Sequence, residues 1–153
     1  MKVKEIGIKE VHYAEPSTIL SEIASIMKKH DVGIIPVCEG KKLLGVLTDR
    51  DLVVRCMAAA YVNPKACTAR EIMTSNPITV TPDTDLEEVA RIMGREQIRR
   101  LPVVETGNLV GMISLGDISI GLSNNSLVAE TLSKISMPAH AKVRGMAATF
   151  SQK

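Results

Sequence analysis

Residues 45–51 read GVLTDRD, and residues 111–117 read GMISLGD. Each stretch consists of a glycine, two apolar residues, a hydroxyl residue, two variable positions and an aspartate. The two copies lie 66 positions apart in a chain of 153 residues. A short phrase that occurs twice in one small chain raises the question of how far the duplication extends.

The repetition extends well beyond these seven residues. When residues 4–51 are aligned with residues 70–117 without a gap, 15 of 48 positions are identical. A repeated unit of this length does not bury its apolar face alone, so two copies are expected to pack against each other. The sequence therefore predicts one module in which two related units share a core.

Breaks in the apolar pattern mark the predicted boundaries of the units. We place the first repeat at residues 1–62, a linker at residues 63–68 and the second repeat at residues 69–122. Residues 123–153 are predicted to form a short helix, from Leu127 to Ile135, followed by a flexible tail.

Apolar periodicity predicts the same β-α-β-β-α order in each repeat, which makes the chain an α/β (α+β) protein. Residues at positions i, i+3, i+4 and i+7 of the first predicted helix in each repeat form an apolar stripe that is predicted to be buried. The two stripes are Leu20, Ile23, Ala24 and Met27, and Leu86, Val89, Ala90 and Met93. Gly94 is predicted to interrupt the second of these helices near its end.

Two apolar runs separated by a polar turn predict a β-hairpin in each repeat. The runs are Ile34–Cys38 and Leu43–Leu47, and Leu101–Val104 and Leu109–Ile113. Pro36 and Pro102 lie inside the first strand of each hairpin, which predicts an edge or bulged strand. Further predicted elements are a strand at Ile78–Thr81 and helices at Asp51–Ala60 and from Asp117 to about Leu122.

Composition and charge argue against several classes of function. The chain has 19 basic and 17 acidic residues, a net charge of +2, and only 2% aromatic residues. Nucleic-acid binding is therefore disfavoured, because it usually requires basic patches or stacking aromatic rings. No apolar run approaches the roughly 18 residues of a membrane-spanning helix, and the N-terminus does not resemble a signal peptide. The three cysteines are typical of reduced thiols, so we predict a cytoplasmic protein.

The sequence contains none of the common catalytic or metal-binding motifs. There is no Gly-x-Ser-x-Gly, no phosphate-binding glycine-rich loop that ends in lysine, and no zinc signature. His12, His30 and His140 have no Cys or His neighbour at metal-ligand spacing. We therefore predict a protein that is not an enzyme and that requires neither a metal nor a cofactor.

The hydroxyl and the carboxylate of the repeated phrase lie at a predicted junction between a strand and a helix. Thr48 and Ser114 end the second hairpin strand, and Asp51 and Asp117 follow three residues later. A hydroxyl there can hydrogen-bond a phosphate, and a carboxylate can accept both hydroxyls of a ribose. The same pattern also matches a capping box, in which these side chains only satisfy local backbone donors. The spacing leaves both interpretations open.

The repeated segments resemble a tandem pair of cystathionine β-synthase (CBS) domains, or Bateman module, and especially small stand-alone bacterial members of that family. The resemblance covers roughly residues 4–122 and rests on five segments. These segments are Val32–Val37, Gly45–Leu52, Ile78–Pro82, Ile98–Val104 and Gly111–Ile118. It implies two repeats packed about a pseudo-twofold axis, with two clefts between their sheets, and a regulatory rather than catalytic role.

The resemblance also implies a ligand and the residues that bind it. Clefts of this family commonly bind AMP, ADP, ATP or S-adenosylmethionine. The aspartates would hold the ribose, the hydroxyl residues and an arginine pair the phosphate, and the backbone of residues 78–80 the adenine. The candidate ligand-binding residues are Thr48, Arg50, Asp51, Ile78, Thr79, Val80, Arg99, Arg100, Pro102, Ser114 and Asp117.

The two repeats do not match this pattern equally, so we expect inequivalent clefts. The first repeat has Gly33-Ile34 where the second has Arg99-Arg100, and Val11–Ala14 where the second has Pro77–Val80. The predicted function is energy sensing, in which a bound adenine nucleotide changes the conformation and signals to a regulated protein. A homodimer through apolar helix faces is expected. The alternative is a dimerisation or interaction scaffold without a ligand.

Overall fold

A computed structural model of the chain describes residues 1–6, 11–59 and 63–138. The α-helices in these ranges are α1 (Leu20–His30), α2 (Asp49–Asp51), α3 (Ala69–Ile72), α4 (Leu86–Glu96), α5 (Leu115–Gly121) and α6 (Asn125–Ser136). The strands are β1 (Ile34–Glu39), β2 (Lys42–Thr48), β3 (Thr74–Ser75), β4 (Arg100–Glu105) and β5 (Asn108–Ser114). A 3-10 turn (Val3–Ile6) precedes them, and a π-helix (Leu52–Met57) continues α2. None of these helices is long and apolar enough to cross a membrane.

The predicted α/β class and both hairpins are confirmed. β1 pairs with β2 and β4 pairs with β5, both antiparallel, and each strand extends one or more residues beyond its predicted apolar run. The order of the strands is β1-β2-β5-β4, and the two hairpins are joined where Lys42 pairs with Asn108. Each hairpin has the same irregularity, a register shift after Val37 and after Val103, close to its proline.

The outer strand of each hairpin is bordered by a single bridge instead of a full strand. Val80 forms a parallel bridge with Val103, its N–H donating to the Pro102 carbonyl at 3.0 Å. The prediction of a strand at Ile78–Thr81 is therefore wrong. Continuing the ladder in either direction would require an N–H from residue 82 or from residue 102, and both are proline. The strand nearby is β3, which pairs with β2 of the first repeat.

The second helix of each repeat begins two residues before its predicted start. α2 begins at Asp49 and α5 begins at Leu115, because Thr48 and Ser114 are the N-cap residues. Asp51 and Asp117 are therefore the third residues of their helices and not the first. The predicted end of the first of these helices, Ala60, lies outside the described residues.

The apolar residues form two cores, and the repeats exchange their first segments between them. Val3 is buried in the core that contains α4 and the second hairpin, and the Val3 N–H donates to the Thr84 carbonyl at 3.0 Å. Ala69 is likewise buried in the core that contains α1 and the first hairpin, and its N–H donates to the Thr18 carbonyl at 2.8 Å. The units that pack together therefore differ from the repeats predicted at 1–62 and 69–122.

Helices α1 and α4 have the same stripe but different surroundings. All four stripe residues of α4 are buried, whereas Ala24 of α1 is exposed, so the expectation for Ala24 is wrong. Helix α6 covers this side of α4, and the Thr131 hydroxyl donates to the Ala90 carbonyl at 3.3 Å. Gly94 does not interrupt α4. A Cβ atom there would lie 3.3 Å from Lys134 Cδ, so the glycine admits α6.

Helix α6 itself extends two residues before and one residue after the predicted Leu127–Ile135. It is held at its C-terminal end by Gln97, the residue that follows α4. The Gln97 Nε2 donates to the carbonyls of Lys134 and Met137 at 3.0 and 3.3 Å. The predicted flexible tail lies mostly in residues 139–153, which are outside the described residues.

Candidate functional site

A cleft of about 520 Å³ is lined by residues from both repeats. The first repeat contributes the end of β2, the start of β1 and α2, namely Gly33, Ile34, Val46, Thr48, Asp49, Arg50 and Asp51. The second contributes residues around β3 and at the start of β4, namely Thr74, Asn76, Pro77, Ile78, Gln97, Ile98, Arg99, Arg100 and Pro102.

Seven of the eleven candidate residues lie together in this cleft. They are Thr48, Arg50, Asp51, Ile78, Arg99, Arg100 and Pro102. The other four do not line it, and they are Thr79, Val80, Ser114 and Asp117. The structure therefore brings the hydroxyl and aspartate of the first repeat together with the arginine pair of the second.

Thr48 and Asp51 form a complete capping box at the wall of the cleft. Asp51 Oδ2 accepts hydrogen bonds from the Thr48 N–H at 2.8 Å and from the Thr48 hydroxyl at 2.9 Å. The Asp51 N–H in turn donates to Thr48 Oγ1 at 3.2 Å. The capping interpretation of the sequence is thus confirmed. The capping box does not use all of the hydrogen-bond acceptor capacity of the Asp51 carboxylate, because two carboxylate oxygens offer about four acceptor positions.

The second oxygen of Asp51 faces an arginine one helical turn further on. Arg55 Nε lies 3.4 Å from Asp51 Oδ1, and the carboxylate is only 16% exposed. Arg55 Nη1 also donates to the Ile72 carbonyl at 2.9 Å and to Thr74 Oγ1 at 3.1 Å. One guanidinium therefore connects the aspartate of the first repeat to α3 and β3, which come from the second.

Ser114 and Asp117 form the same box at the start of α5. Asp117 Oδ2 accepts from the Ser114 N–H at 2.8 Å and from the Ser114 hydroxyl at 2.6 Å. The position equivalent to Arg55 is Gly121, whose absent Cβ would lie 2.8 Å from Leu86 Cδ1. Apolar packing thus takes the place of the arginine. The two boxes share their local geometry and differ in what lies beside them.

Within residues 78–80, Ile78 lines the cleft and Val80 pairs with the sheet. Ile78 lines the cleft and is 41% exposed. Val80 is buried, and its carbonyl accepts from the Val104 N–H at 2.8 Å, in addition to the donor bond of Val80 to Pro102 described above. Both backbone groups of Val80 are thus engaged within the fold. Of residues 78–80, an adenine in the cleft would therefore meet Ile78, because Thr79 does not line the cleft either.

The charges that line the cleft comprise three arginines and two aspartates. Arg50, Arg99 and Arg100 are all exposed, so their guanidinium groups remain accessible to an anion. Asp49 lies beside Gly33, where an added Cβ would come within 3.0 Å of Asp49 Oδ2. Gly33 therefore leaves room for this carboxylate. The excess of cations suits the cleft to phosphate groups, whose oxygens accept charge-assisted hydrogen bonds from guanidinium groups.

A model of the CBS domain matches residues 3–57 and 69–123 of the chain. The chain belongs to the CBS-domain family. Each match begins with the segment that packs against the other CBS repeat and ends just after the second helix. Helix α6 lies beyond both matched ranges, so it is an addition to the pair of CBS repeats.

Among its relatives, the chain is similar to the CBS domain-containing protein YhcV of Bacillus subtilis, at 37% identity over 88% of this chain and 94% of YhcV. The solved structure of Hypoxic Response Protein I with two coordinated zinc ions is 31% identical. It covers 80% of this chain and 99% of its own, with a TM-score of 0.72. The structure of CBSX2 in complex with AMP is 26% identical over 78% of this chain and 93% of its own, with a TM-score of 0.68.

Several cleft residues were not among the sequence candidates. Asn76 and Gln97 line the cleft with positive φ angles of 48° and 55°. Such conformations are uncommon for residues other than glycine. Gln97 adopts this conformation as the C-cap of α4, where its N–H donates to the Met93 carbonyl. Asp49 and Thr74 also line it. Asp49 lies within the repeated phrase and could have been noticed, whereas Thr74 and Arg55 become recognisable only once β3 is paired with β2.

The second cleft expected from CBS symmetry cannot be described in the same way. The positions equivalent to Thr74–Ile78 are residues 8–12, and 8–10 of these lie outside the described residues. A different hollow of about 430 Å³ is lined by Val11 and Tyr13, by Cys38 of β1, and by residues of β5 and of the two hairpin turns. None of the eleven candidate residues lines that hollow.

The histidines and cysteines do not form a metal site within residues 1–6, 11–59 and 63–138, which contain no cluster of three potential ligands. His12 and His30 stack with ring centroids 3.5 Å apart. Loss of solvent, together with His12 and Lys29, lowers the pKa of His30. Burial raises the pKa of the Cys38 thiol to about 11, which makes it a poor nucleophile.

Proposed function

We propose that this CBS pair is a regulatory protein that binds an adenine nucleotide in the cleft between its repeats. The observation that carries the proposal is the placement of Asp51 and the Arg99-Arg100 pair around one cleft of about 520 Å³. A carboxylate that can accept ribose hydroxyls and a cationic pair that can hold phosphate are the two polar elements that a nucleotide requires.

In this proposal the ribose lies against Asp51 and the phosphate against Arg99 and Arg100. Ile78 and Pro102 line the cleft as apolar surface for the adenine. The Thr48 hydroxyl donates a hydrogen bond to Asp51 and so orients that carboxylate. It can donate to a phosphate only if it gives up its hydrogen bond to Asp51. Arg50, which is exposed beside Asp51, is a further cation within the cleft.

The charge of the cleft favours phosphate-bearing ligands over S-adenosylmethionine. The lining contains three arginines and two aspartates, and the sulfonium group of S-adenosylmethionine is a cation. AMP, ADP and ATP place negative charge where the arginines lie, which charge-assisted hydrogen bonds stabilise. The AMP complex of CBSX2, a relative of similar structure, supports the same choice.

The proposed output is a change in the interaction with another protein. The π-helix that follows Asp51 exposes Val53, Val54 and Met57, and α5 exposes Ile120, which is 88% exposed. Exposed apolar residues of this size on helices are typical of interaction surfaces. We propose that they serve a homodimer or a regulated protein in the cytoplasm, where the buried free cysteines remain reduced. No chemical reaction is assigned to the chain.

Isothermal titration with AMP, ADP, ATP and S-adenosylmethionine tests the proposal. We expect AMP, ADP or ATP to bind with a Kd below about 1 mM, which corresponds to about −4 kcal/mol. S-adenosylmethionine should bind at least about tenfold more weakly, a difference of about 1.4 kcal/mol. The absence of binding by all four ligands at millimolar concentration would contradict the proposal.

A scaffold without a ligand is the second candidate, and the capping boxes favour it. In both repeats the hydroxyl and the aspartate already satisfy each other and the local backbone, so their presence needs no nucleotide to explain it. This function predicts a stable dimer whose association constant is unchanged by saturating AMP. Sedimentation equilibrium with and without nucleotide distinguishes it from a regulated assembly.

A further inference from the structure

Arg55 does not line the cleft, but it contacts two residues that do, Asp51 and Thr74, and also Ile72 at the end of α3. Its guanidinium contacts Asp51 Oδ1 at 3.4 Å, the Ile72 carbonyl at 2.9 Å and Thr74 Oγ1 at 3.1 Å. Asp51 and Thr74 line the cleft, whereas Arg55 does not. The contact to Ile72 satisfies a carbonyl at the C-terminal end of α3, where a cation is favoured.

We infer that Arg55 is the positioning residue for Asp51 and that it sets the preference of the cleft for ribose over deoxyribose. The inference rests on the proposed function and specifies how one part of the ligand is recognised. Arg55 acts through the carboxylate and need not touch the nucleotide.

The geometry around Asp51 explains why the arginine matters. Asp51 Oδ2 is committed to the Thr48 N–H and hydroxyl, so Oδ1 is the oxygen with more unused acceptor capacity. Arg55 holds Oδ1 from one side, and its own position is fixed by two hydrogen bonds to the second repeat. A carboxylate that is oriented in advance loses less conformational entropy when it accepts two hydroxyls.

The second repeat has the same box but a glycine at the position equivalent to Arg55. Asp117 stands at the same position relative to Ser114, but residue 121 is glycine and lies against Leu86 and Ile6. The capping box itself therefore does not require an arginine four residues later.

The test compares AMP with 2′-deoxy-AMP by calorimetry. We expect the wild-type protein to bind AMP at least about tenfold more tightly, because the deoxy ligand lacks one hydroxyl for Asp51. In Arg55→Ala the affinity for AMP should fall about tenfold and that for 2′-deoxy-AMP about twofold, so that the preference is largely lost. Arg55→Lys, which retains the charge without the planar fork, should show an intermediate preference.

Arg70→Ala is the matched control, since Arg70 is an exposed arginine of α3 that does not line the cleft. It should leave both affinities unchanged. Thermal unfolding of each variant shows whether it is folded, and the lysine variant provides the comparison if the alanine variant is not. If Arg55→Ala lowered the affinities for AMP and for 2′-deoxy-AMP by the same factor, the inference would be overturned, because Arg55 would then have a structural role only. If the wild type bound none of AMP, ADP and ATP, the proposed function itself would be overturned.

Discussion

Helices α1 and α4 occupy equivalent places in the two CBS repeats, yet one has an open outer side and the other is covered. Ala24 of α1 is exposed, whereas the equivalent Ala90 is fully buried beneath α6. Four positions later, Lys28 of the first repeat corresponds to Gly94 of the second. The difference shows that helices with the same apolar stripe can have different surroundings within one fold.

Gly94 allows α6 to pack closely on α4, whereas the equivalent residue of α1 is a lysine. An added Cβ would lie 3.3 Å from Lys134 Cδ and 3.6 Å from the Thr131 Cα. A methyl group could therefore be accommodated by a small shift of the lysine chain, but a longer side chain would meet the backbone of α6. The close approach also buries the Thr131 hydroxyl against α4, so the glycine and the threonine act together.

The largest expected effect comes from exchanging these two residues between the repeats. Gly94→Lys should displace α6 and lower the free energy of unfolding by about 2–4 kcal/mol, because buried apolar contacts and a buried hydrogen bond are lost. Lys28→Gly should cost only about 1 kcal/mol, the difference in helix propensity. Urea unfolding followed by circular dichroism measures both.

Gly94→Ala is the internal control and should change stability by less than about 1 kcal/mol, because improved helix propensity offsets slight crowding. Limited proteolysis should cleave α6 rapidly in Gly94→Lys and slowly in the other two variants. If Gly94→Lys were as stable as the wild type, α6 would not be held by close packing on α4.

The two capping boxes provide the second comparison. Asp51→Ala and Asp117→Ala each remove a box, so each should lower the free energy of unfolding by about 1 kcal/mol. Only Asp51 lines the described cleft. We therefore expect Asp51→Ala to weaken AMP binding at least about tenfold, or about 1.4 kcal/mol. Asp117→Ala should leave the affinity of this cleft unchanged within a factor of about two.

Calorimetry and urea unfolding on the same preparations separate the two roles of these aspartates. Equal loss of AMP affinity in both variants would show that binding depends on helix stability and not on the cleft. Asp51 would then have no direct part in holding the ribose.

Much of the fold could be predicted because its signals are local. The 66-residue offset identified the repeats, and alternating apolar runs around polar turns located both hairpins. Apolar periodicity located α1 and α4. The helix starts were misplaced by two residues although the capping box, which was one of the two interpretations, already implied Thr48 and Ser114 as N-caps.

What could not be predicted depends on contacts between distant parts of the chain. The exchange of first segments between the cores is set by backbone pairs such as Ala69 with Thr18, which no periodicity reveals. The same exchange brings Ile72 and Thr74 to Arg55. The contacts of Arg55, the residue that pairs with Asp51, could therefore not be predicted from the sequence either. Seven candidate residues converge on one cleft, but sequence alone did not assign them to the same one.

The smallest expected effect concerns how the exchanged segments are attached. Both segments use equivalent backbone hydrogen bonds, but within residues 1–6, 11–59 and 63–138 only the N-terminal segment adds an ion pair. Lys4 Nζ lies 2.7 Å from Asp83 Oδ1, and Lys2 Nζ lies 3.4 Å from it. The equivalent of Asp83 in the first repeat is Ser17. All three charged side chains are largely exposed, so solvent and salt screen the interaction.

Asp83→Asn should therefore lower the melting temperature only slightly at low ionic strength. The hydrogen bonds and charges of Lys4, and then of Lys2, lower the pKa of Asp83. A lowered pKa in the folded state gives stability that is present above the usual aspartate pKa of about 3.9 and is lost as the pH falls through the folded value. The difference between wild type and Asp83→Asn should thus disappear in acid and in about 1 M salt. A difference that persisted under both conditions would mean that packing of the N-terminal segment, and not this ion pair, accounts for the effect of the substitution.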